Sequence, residues 1–152
     1  MPLRGQKTWV EISRAAVEQN VAALRSFLLP DVEFCAVVKA NAYGHGQREM
    51  TSLLLDAGVT HFALDSIDEA IALRQQSPEA TIFILDYTVP ERLRDVVEMH
   101  AIQTVYDEKT ILELSKYGSN EHPARVSLKV ETGLHRQGVG PRGIVSLLDV
   151  IR

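Results

Sequence analysis

Residues 36–46 have the sequence Ala-Val-Val-Lys-Ala-Asn-Ala-Tyr-Gly-His-Gly. The stretch is a short apolar run that ends at Lys39 and then enters a turn flanked by glycines. Continuous apolar strands of this kind are typical of parallel sheets that are covered on both faces. Burial of an ammonium is costly unless the amine is paired or used, and desolvation lowers the pKa of a lysine. We therefore expect Lys39 to have a depressed pKa and to be able to attack a carbonyl.

Strand-like and helix-like patterns alternate along the chain on both sides of this stretch. The spacing predicts strands over 34–39, 61–66, 81–87, 102–106 and 124–131, each followed by a helix. Such alternation is typical of βα units in a parallel sheet. The predicted fold class is α/β, a partial (β/α)8 TIM-type barrel with about five βα units. Because a closed barrel needs about 250 residues, we expect a sequence of 152 residues to be cut short.

Several residues mark where these elements begin and end. Thr8–Ile12 is predicted to form a strand, and Ser13 is predicted to cap a helix after it. The apolar faces expected on the first and last helices comprise Val17, Val21, Leu24 and Leu28, and Ile144, Leu147, Leu148 and Ile151. Gly58 and Pro141 are expected to end and to begin helices, respectively. We divide the chain into an N-terminal strand and helix, 1–30, and a barrel portion, 31–152.

Composition excludes several classes of protein. The formal net charge is −4 and no basic run appears, so nucleic acid is not an expected partner. No apolar stretch has the length of a membrane span, and the N-terminus lacks the apolar core of a signal peptide. The single cysteine, Cys35, fits a reducing compartment. We expect a cytoplasmic protein that has no membrane partner and binds no metal.

Side-chain alternation places Cys35, Val37 and Lys39 on one face of their strand. If that face is the barrel interior, Lys39 emerges at the carboxyl-terminal mouth, where active sites of this fold lie. The carbonyl that such a lysine most often meets in amino-acid chemistry is the aldehyde of pyridoxal phosphate (PLP). The alternative is a strand-end lysine whose amine extends to water.

A second polar segment, Leu-Lys-Val-Glu-Thr-Gly-Leu-His-Arg-Gln-Gly at 128–138, also runs from a strand into a loop. Lys129 and Glu131 share one face of that strand, and Arg136 offers a planar set of donors for a phenolate, carboxylate or phosphate. The alternative is an ordinary ion pair between Lys129 and Glu131, with Arg136 on a solvated turn.

Together the two segments resemble the alanine racemase family. Residues 36–46 resemble its PLP-attachment signature, and Glu-Thr-Gly-Leu-His-Arg-Gln-Gly at 131–138 resembles its second hallmark, in the same order and at a matching distance. Thr-Trp-Val-Glu-Ile at 8–12 is similar to the N-terminus of the family. The resemblance extends over the chain from about residue 7.

The resemblance implies a role for each matching residue. Lys39 would hold PLP as a Schiff base and act as one of two bases that exchange the α-proton of the substrate. Tyr43 would contact the cofactor phosphate. Arg136 would donate to the phenolic oxygen of the cofactor and orient the substrate. Lys129 would be carbamylated and so hold that arginine. Leu85 would pack against the cofactor ring, although an apolar core position is an equal alternative.

The resemblance also implies an activity and a partner. The expected function is PLP-dependent interconversion of L-alanine and D-alanine, which supplies D-alanine for peptidoglycan, in a homodimer. Glu131 and Leu134 depart from the usual aspartate and methionine of the family. The second base of the family is a tyrosine from a C-terminal domain, so we expect this chain alone to be inactive. The alternatives are a racemase for another amino acid, a non-catalytic PLP-binding barrel and an inactive truncated fragment.

Overall fold

Five parallel strands form one sheet in the order β1-β2-β3-β4-β5. The computed structural model describes residue 5 and residues 7–152. The strands are β1 (Cys35–Val37), β2 (His61–Leu64), β3 (Thr81–Ile84), β4 (Ile102–Val105) and β5 (Arg125–Leu128). Each strand pairs with the next strand in the chain, as in a (β/α)8 barrel. The predicted fold class is therefore confirmed.

Helices connect the strands and cover one face of the sheet. In the part of the chain that the structure describes, they are α1 (Arg14–Arg25), α2 (Lys39–Tyr43), α3 (Gln47–Asp56), α4 (Ile67–Gln76), α5 (Leu93–Glu98), α6 (Glu108–Ser115) and α7 (Pro141–Ile151). A 3-10 turn over Pro90–Arg92 leads into α5. Within residue 5 and residues 7–152, no helix is both long and apolar enough to cross a membrane.

The two faces of the sheet differ in burial because successive side chains point to opposite sides. Val38 is 2% exposed beneath the helices, whereas Val37 is 44% exposed on the face that corresponds to the barrel interior. Phe62, Ile82 and Ile84 are fully buried in the layer between strands and helices. Burial of each such side chain stabilises the fold by about 1.5–3 kcal/mol. The core therefore lies outside the sheet, and the inner face stays accessible.

Helix α1 is joined to α3 by polar contacts. Arg25 donates to the carbonyl oxygens of Ala57 and Gly58 at 2.9 and 2.6 Å. Arg14 pairs with Asp56 at 2.6 Å. Because carbonyls at the end of a helix lack partners within the helix, the Arg25 guanidinium stabilises the end of α3. The division of the chain at residue 30 stays a prediction.

All five predicted strands are present, but each ends one to three residues before its predicted end. The strand at residues 8–12 and parts of two apolar helix faces were predicted wrongly. Ser13 caps α1 as predicted, with its hydroxyl oxygen 3.3 Å from the amide nitrogen of Ala16. Residues 8–12 form no strand, because they pair with no described strand, and Val10 is 66% exposed. Leu24 and Leu28 were expected on the apolar face of the first helix and Leu148 on that of the last, but all three are exposed, and Leu28 lies beyond the end of α1.

Candidate active site at the carboxyl ends of the strands

The carboxyl ends of the parallel strands bring several charged side chains to one edge of the sheet. A cavity of about 270 Å³ opens there. Its lining consists of Lys39, Asp65, Leu85, Asp86, Lys129, Arg136 and Gln137. Each of these residues lies within two residues of the end of a strand or belongs to the loop after β5. The fold therefore gathers three cationic and two anionic groups around one cavity.

Lys39 is held by a carboxylate. Its Nζ lies 3.0 Å from Oδ1 of Asp65, which follows β2. The predicted depression of the Lys39 pKa is wrong. The hydrogen bond that Lys39 donates to Asp65 raises the pKa of Lys39, and it outweighs desolvation and the like charge of Arg136, which both lower that pKa. Lys39 is therefore an ammonium paired with Asp65 at the cavity.

The backbone after Lys39 is strained. Ala40, Asn41, Ala42 and Tyr43 have φ between 51° and 54°, so α2 is one turn of left-handed helix. Left-handed helical backbone costs about 1–2 kcal/mol for each non-glycine residue. Gly44 follows with φ 89° and carries no such steric penalty. The turn stops the chain sharply at the end of β1 and leaves Lys39 at the mouth.

Glu69 anchors this left-handed turn from a neighbouring element. Its Oε1 accepts from the amide of Asn41 at 3.4 Å, and its Oε2 accepts from the amide of Asp65 at 3.0 Å. The Asn41 side chain in turn accepts from the amide of Gln47 at 2.8 Å, at the start of α3. One carboxylate on α4 thus positions both the turn behind Lys39 and the backbone of its ion-pair partner.

Lys129 makes a contact that the sequence did not predict. Its Nζ lies 3.2 Å from Oε1 of Gln137, and Nε2 of Gln137 lies 2.6 Å from Oδ1 of Asp86. Glu131, the alternative partner proposed for Lys129, instead accepts from the amide of Gly133 at 2.5 Å. The ordinary ion pair between Lys129 and Glu131 is therefore not formed.

Asp86 is fixed from several directions. Donation from Gln137, and then from the amide of Tyr87, holds the Asp86 pKa below its usual range, against the effect of burial. The backbone carbonyl of Asp86 accepts from Nε2 of Gln103 at 2.8 Å. Gln103 is fully buried and its Oε1 accepts from Thr88 at 2.7 Å. A satisfied polar network therefore runs from the core to the cavity.

Arg136 lies in a closed loop at the end of β5. Val130 and Val139 form an isolated parallel bridge, which closes the base of the loop at residues 131–138. A Cβ at Gly138 would lie 2.8 Å from the amide nitrogen of Glu131, and the φ of Gly138 is 132°. Only glycine suits this position. The Arg136 side chain is exposed and lines the cavity.

The structure brings together four of the five predicted site residues. Lys39, Leu85, Lys129 and Arg136 all line the cavity. Tyr43 lies outside that lining, on the left-handed turn, and is 62% exposed. The roles assigned to these residues, and carbamylation of Lys129, stay predictions.

Four residues around the site were not predicted from the sequence: Asp65, Glu69, Asp86 and Gln137. Asp65 directly follows β2, and Asp86 lies two residues beyond β3. Polar residues at the carboxyl ends of parallel strands meet at one edge of the sheet. The positions of Asp65 and Asp86 just after predicted strands could therefore have identified them as candidate site residues. The anchoring role of Glu69 follows only from the course of the left-handed turn, which no sequence pattern specifies.

This geometry defines an α/β-barrel protein with a charged site at the carboxyl-terminal mouth of its strands. Residues 12–152 match the family model for the N-terminal domain of alanine racemase. The chain belongs to the alanine racemase family.

Individual relatives agree with this assignment. The chain is 39% identical over 132 residues to the alanine racemase of Geobacillus kaustophilus, a match that covers 87% of this chain and 34% of the relative. The crystal structure of alanine racemase from Bacillus anthracis with bound L-Ala-P superposes with a TM-score of 0.83. At 29% identity, that match covers 99% of this chain and 40% of the other.

A related structure carries a different activity in its name. The histidine racemase from Leuconostoc mesenteroides superposes with a TM-score of 0.82 at 31% identity, over 90% of this chain and 37% of that one. The chain spans about a third of the length of the curated alanine racemases it matches. The relatives therefore establish the family, and the substrate is a separate question.

Proposed function

We propose that this chain supplies the PLP-binding lysine of an amino-acid racemase of the alanine racemase type. The observation that carries the proposal is the position of Lys39. Its amine lies in a cavity at the mouth of the strands, opposite Lys129 and Arg136. A lysine at the end of a barrel strand, inside a cavity that also holds an arginine, is suited to covalent attachment of an anionic carbonyl compound.

The residues of the cavity fit PLP in charge and polarity. PLP carries a phosphate and a phenolic oxygen, and Lys39, Lys129 and Arg136 supply three cations against the carboxylates of Asp65 and Asp86. Leu85 provides an apolar wall for a ring. When bound, PLP withdraws electrons from the α-carbon of an amino acid and so acidifies its α-proton.

The proton on Lys39 has a defined partner in this arrangement. Asp65 Oδ1 accepts from Lys39 Nζ at 3.0 Å, so the carboxylate orients the amine and stabilises its charged form. A lysine that exchanges the α-proton must alternate between amine and ammonium. We assign Lys39 to that exchange and Asp65 to holding its charged state.

Arg136 and Tyr43 receive the remaining roles in the chain. Arg136 lines the cavity, where its guanidinium would bind the phenolic oxygen of the cofactor and orient the carboxylate of the substrate. Tyr43, on the left-handed turn next to Lys39, would contact the phosphate. Leu85 would pack against the ring.

Alanine is the proposed substrate, because relatives with that name match most of this chain. The product, D-alanine, would serve peptidoglycan synthesis in the cytoplasm, and the active assembly would be a homodimer. Because a histidine racemase shares the fold, another amino acid is the alternative substrate.

A spectroscopic titration with PLP tests the proposal on the chain itself. We expect wild-type protein and Lys109→Arg, a change on the exposed surface of α6, to bind PLP with the same visible absorbance. Lys39→Arg, which keeps the positive charge and cannot bind PLP covalently, should lose that absorbance. Equal spectra for wild type and Lys39→Arg would overturn the proposal.

A further inference from the structure

Two histidines lie side by side at the amino-terminal edge of the sheet, opposite the edge that carries the candidate active site. His100 precedes β4 and His122 precedes β5, and these strands are paired from Ile102 and Arg125 onward. Because paired strands run about 4.8 Å apart, the residues just before them come together in space. The ring centroids of His100 and His122 lie 5.1 Å apart, and both residues are exposed.

His100 occupies a position where the backbone favours glycine. It follows the last turn of α5, where its amide donates to the carbonyl of Val97 at 2.9 Å and the amide of Ala101 donates to the carbonyl of Val96 at 3.0 Å. The φ of His100 is 51°. Glycine is the usual residue at a left-handed position after a helix, because other residues incur a steric penalty there. A histidine at this strained position points to a role for its side chain.

His122 is held in place by a tight turn. Its backbone amide donates to Oγ of Ser119 at 3.0 Å, and its carbonyl accepts from the amide of Ser119 at 2.9 Å. Pro123 follows directly and restricts the backbone of His122 further. Within residues 7–152, the hydrogen bonds of His100 and His122 are formed by backbone atoms. Both rings therefore keep nitrogens that can bind a ligand.

The separation of the two rings matches that of two imidazoles bound to one tetrahedral metal ion. A Zn–N bond to histidine is about 2.0–2.1 Å long. With the ring centre roughly 1.1 Å behind each nitrogen and a tetrahedral N–Zn–N angle, the two ring centres lie roughly 5.2 Å apart. The observed distance of 5.1 Å agrees with this value, and the angle of 52° between the ring planes excludes parallel stacking.

We propose that His100 and His122 form a binding site for a divalent transition-metal ion, with Zn²⁺ as the type case, which joins the start of β4 to the start of β5. Imidazole suits Zn²⁺, Cu²⁺ and Ni²⁺. Among the described residues no group of three or more His, Cys, Asp or Glu side chains could hold a metal, so water fills the remaining positions and the ion stays exchangeable. The sequence indicates no metal because the two histidines are far apart in the chain, and only the pairing of β4 with β5 brings them together.

The charges near His100 do not oppose a bound cation. A cavity of about 400 Å³ beside it is lined by two guanidiniums and two carboxylates, those of Arg74, Arg125, Glu79 and Glu98. The formal charges of these four side chains cancel. Nε of Arg74 donates to the carbonyl of Met99 at 3.1 Å, so the backbone that carries His100 is fixed before a metal binds.

Two variants remove one ring each. His100→Gly suits the left-handed backbone without the steric penalty, so it removes the ring and leaves the fold. His122→Gln keeps a polar side chain and the backbone turn with Ser119. His61→Gln is the matched control, because His61 is a single imidazole on β2, with its Nδ1 3.7 Å from the Glu33 carboxylate. Circular dichroism verifies that each variant is folded.

Affinity is measured on untagged protein by titration of Zn²⁺ against a chromogenic chelator, without PLP. We expect wild type and His61→Gln to bind one Zn²⁺ per chain. His100→Gly and His122→Gln should each bind it at least about tenfold more weakly, because loss of even an outer-shell partner of a metal ligand weakens binding by that factor. With Cu²⁺ as the probe, electron paramagnetic resonance should show two ligating imidazole nitrogens in wild type and one in each of these variants.

Defined results would overturn the proposal. They are a wild-type protein that binds no Zn²⁺, an affinity that is unchanged in His100→Gly and His122→Gln, and a loss of binding in His61→Gln. A single imidazole nitrogen on Cu²⁺ in wild type would also contradict it. The site lies at the edge of the sheet away from Lys39 and is measured without PLP, so failure of the proposed cofactor binding would leave these results interpretable.

Discussion

The segment at residues 39–46, which contains the left-handed turn, lies across the cavity from the loop at residues 131–138. The two segments are held in different ways. Residues of other elements position the Lys39 turn, chiefly Asp65 and Glu69. The loop that carries Arg136 is fixed mostly by its own residues, with Glu131 accepting from Gly133 and Gly138 packed against the backbone of Glu131. Gln137 provides its side-chain tie to another strand, through Asp86.

This difference suits the roles proposed for Lys39 and Arg136. The group that would bond covalently to a cofactor is held after a strand of the sheet, and catalytic groups on rigid elements are placed most accurately. The group that would contact both cofactor and substrate is on a loop that is fixed mostly by its own residues. Each of the following changes acts on one side of the cavity.

The largest effect is expected at Gly138. Gly138→Ala places a Cβ 2.8 Å from the Glu131 amide nitrogen, in addition to the strained φ, and should lower the free energy of unfolding by about 3 kcal/mol. Gly133→Ala is the matched control, because Gly133 has φ 126° but nothing within 4 Å of its Cβ position. It should cost about 1 kcal/mol. Urea denaturation measures both, and equal losses would contradict the close packing of Gly138.

Glu69→Ala should have a somewhat smaller effect, confined to the Lys39 side. It removes the acceptor for two backbone amides, those of Asn41 and Asp65, and should cost about 1–3 kcal/mol. Hydrogen exchange should accelerate at residues 40–44 and stay unchanged at 131–138. Asp68→Ala, a change at an exposed carboxylate on the same helix that pairs with Arg92, should have little effect. Faster exchange in both loops would mean that they are not held separately.

The smallest expected effect is a difference in pH response. Donation from the amides of His135, Gly133 and Leu134 lowers the pKa of Glu131. Its stabilisation of the loop is therefore present above the ordinary glutamate pKa and is lost as the pH falls through the lower folded value. The pKa of Lys39 is raised, so its contribution is present below the ordinary lysine pKa and is lost as the pH rises through the higher folded value.

NMR follows both titrations. The Gly133 amide resonance should change in acid and the Lys39 side-chain nitrogen resonance in alkali. Glu131→Gln should abolish the acid change at Gly133, with Glu121→Gln as an exposed control. We expect the Gly133 resonance to change only below the pKa of an ordinary glutamate. A resonance that shows no change in that acid range would contradict the proposed contacts of Glu131.

The sequence predicts much of this fold because its patterns are local. Alternation of apolar strands with capped helices located all five βα units, and Ser13 caps a helix where it was expected to. The prediction of a strand at residues 8–12 was wrong because a strand requires a neighbouring strand, and strand propensity alone does not supply one. The prediction that Leu148 faces inward was wrong because helical periodicity identifies an apolar face but not the element that covers it.

The candidate site is predictable only in part. Lys39 and Arg136 are recognisable from their motifs, but the pKa of Lys39 depends on Asp65, which lies 26 residues away in sequence. The same holds for Gln137 and Asp86, which are 51 residues apart. These pairs form because parallel strands end at one edge, so their energetics follow from the three-dimensional arrangement and not from either motif alone.

Reduction of the PLP complex with borohydride, followed by peptide mapping, tests the central claim most directly. Because Lys39 and Lys129 line the same cavity, one sample compares them under identical conditions. We predict one pyridoxyl group per chain, on the peptide that contains Lys39, with the Lys129 peptide unlabelled. Label on Lys129, or label spread evenly over the lysines of the chain, would contradict the assignment of Lys39 as the cofactor lysine.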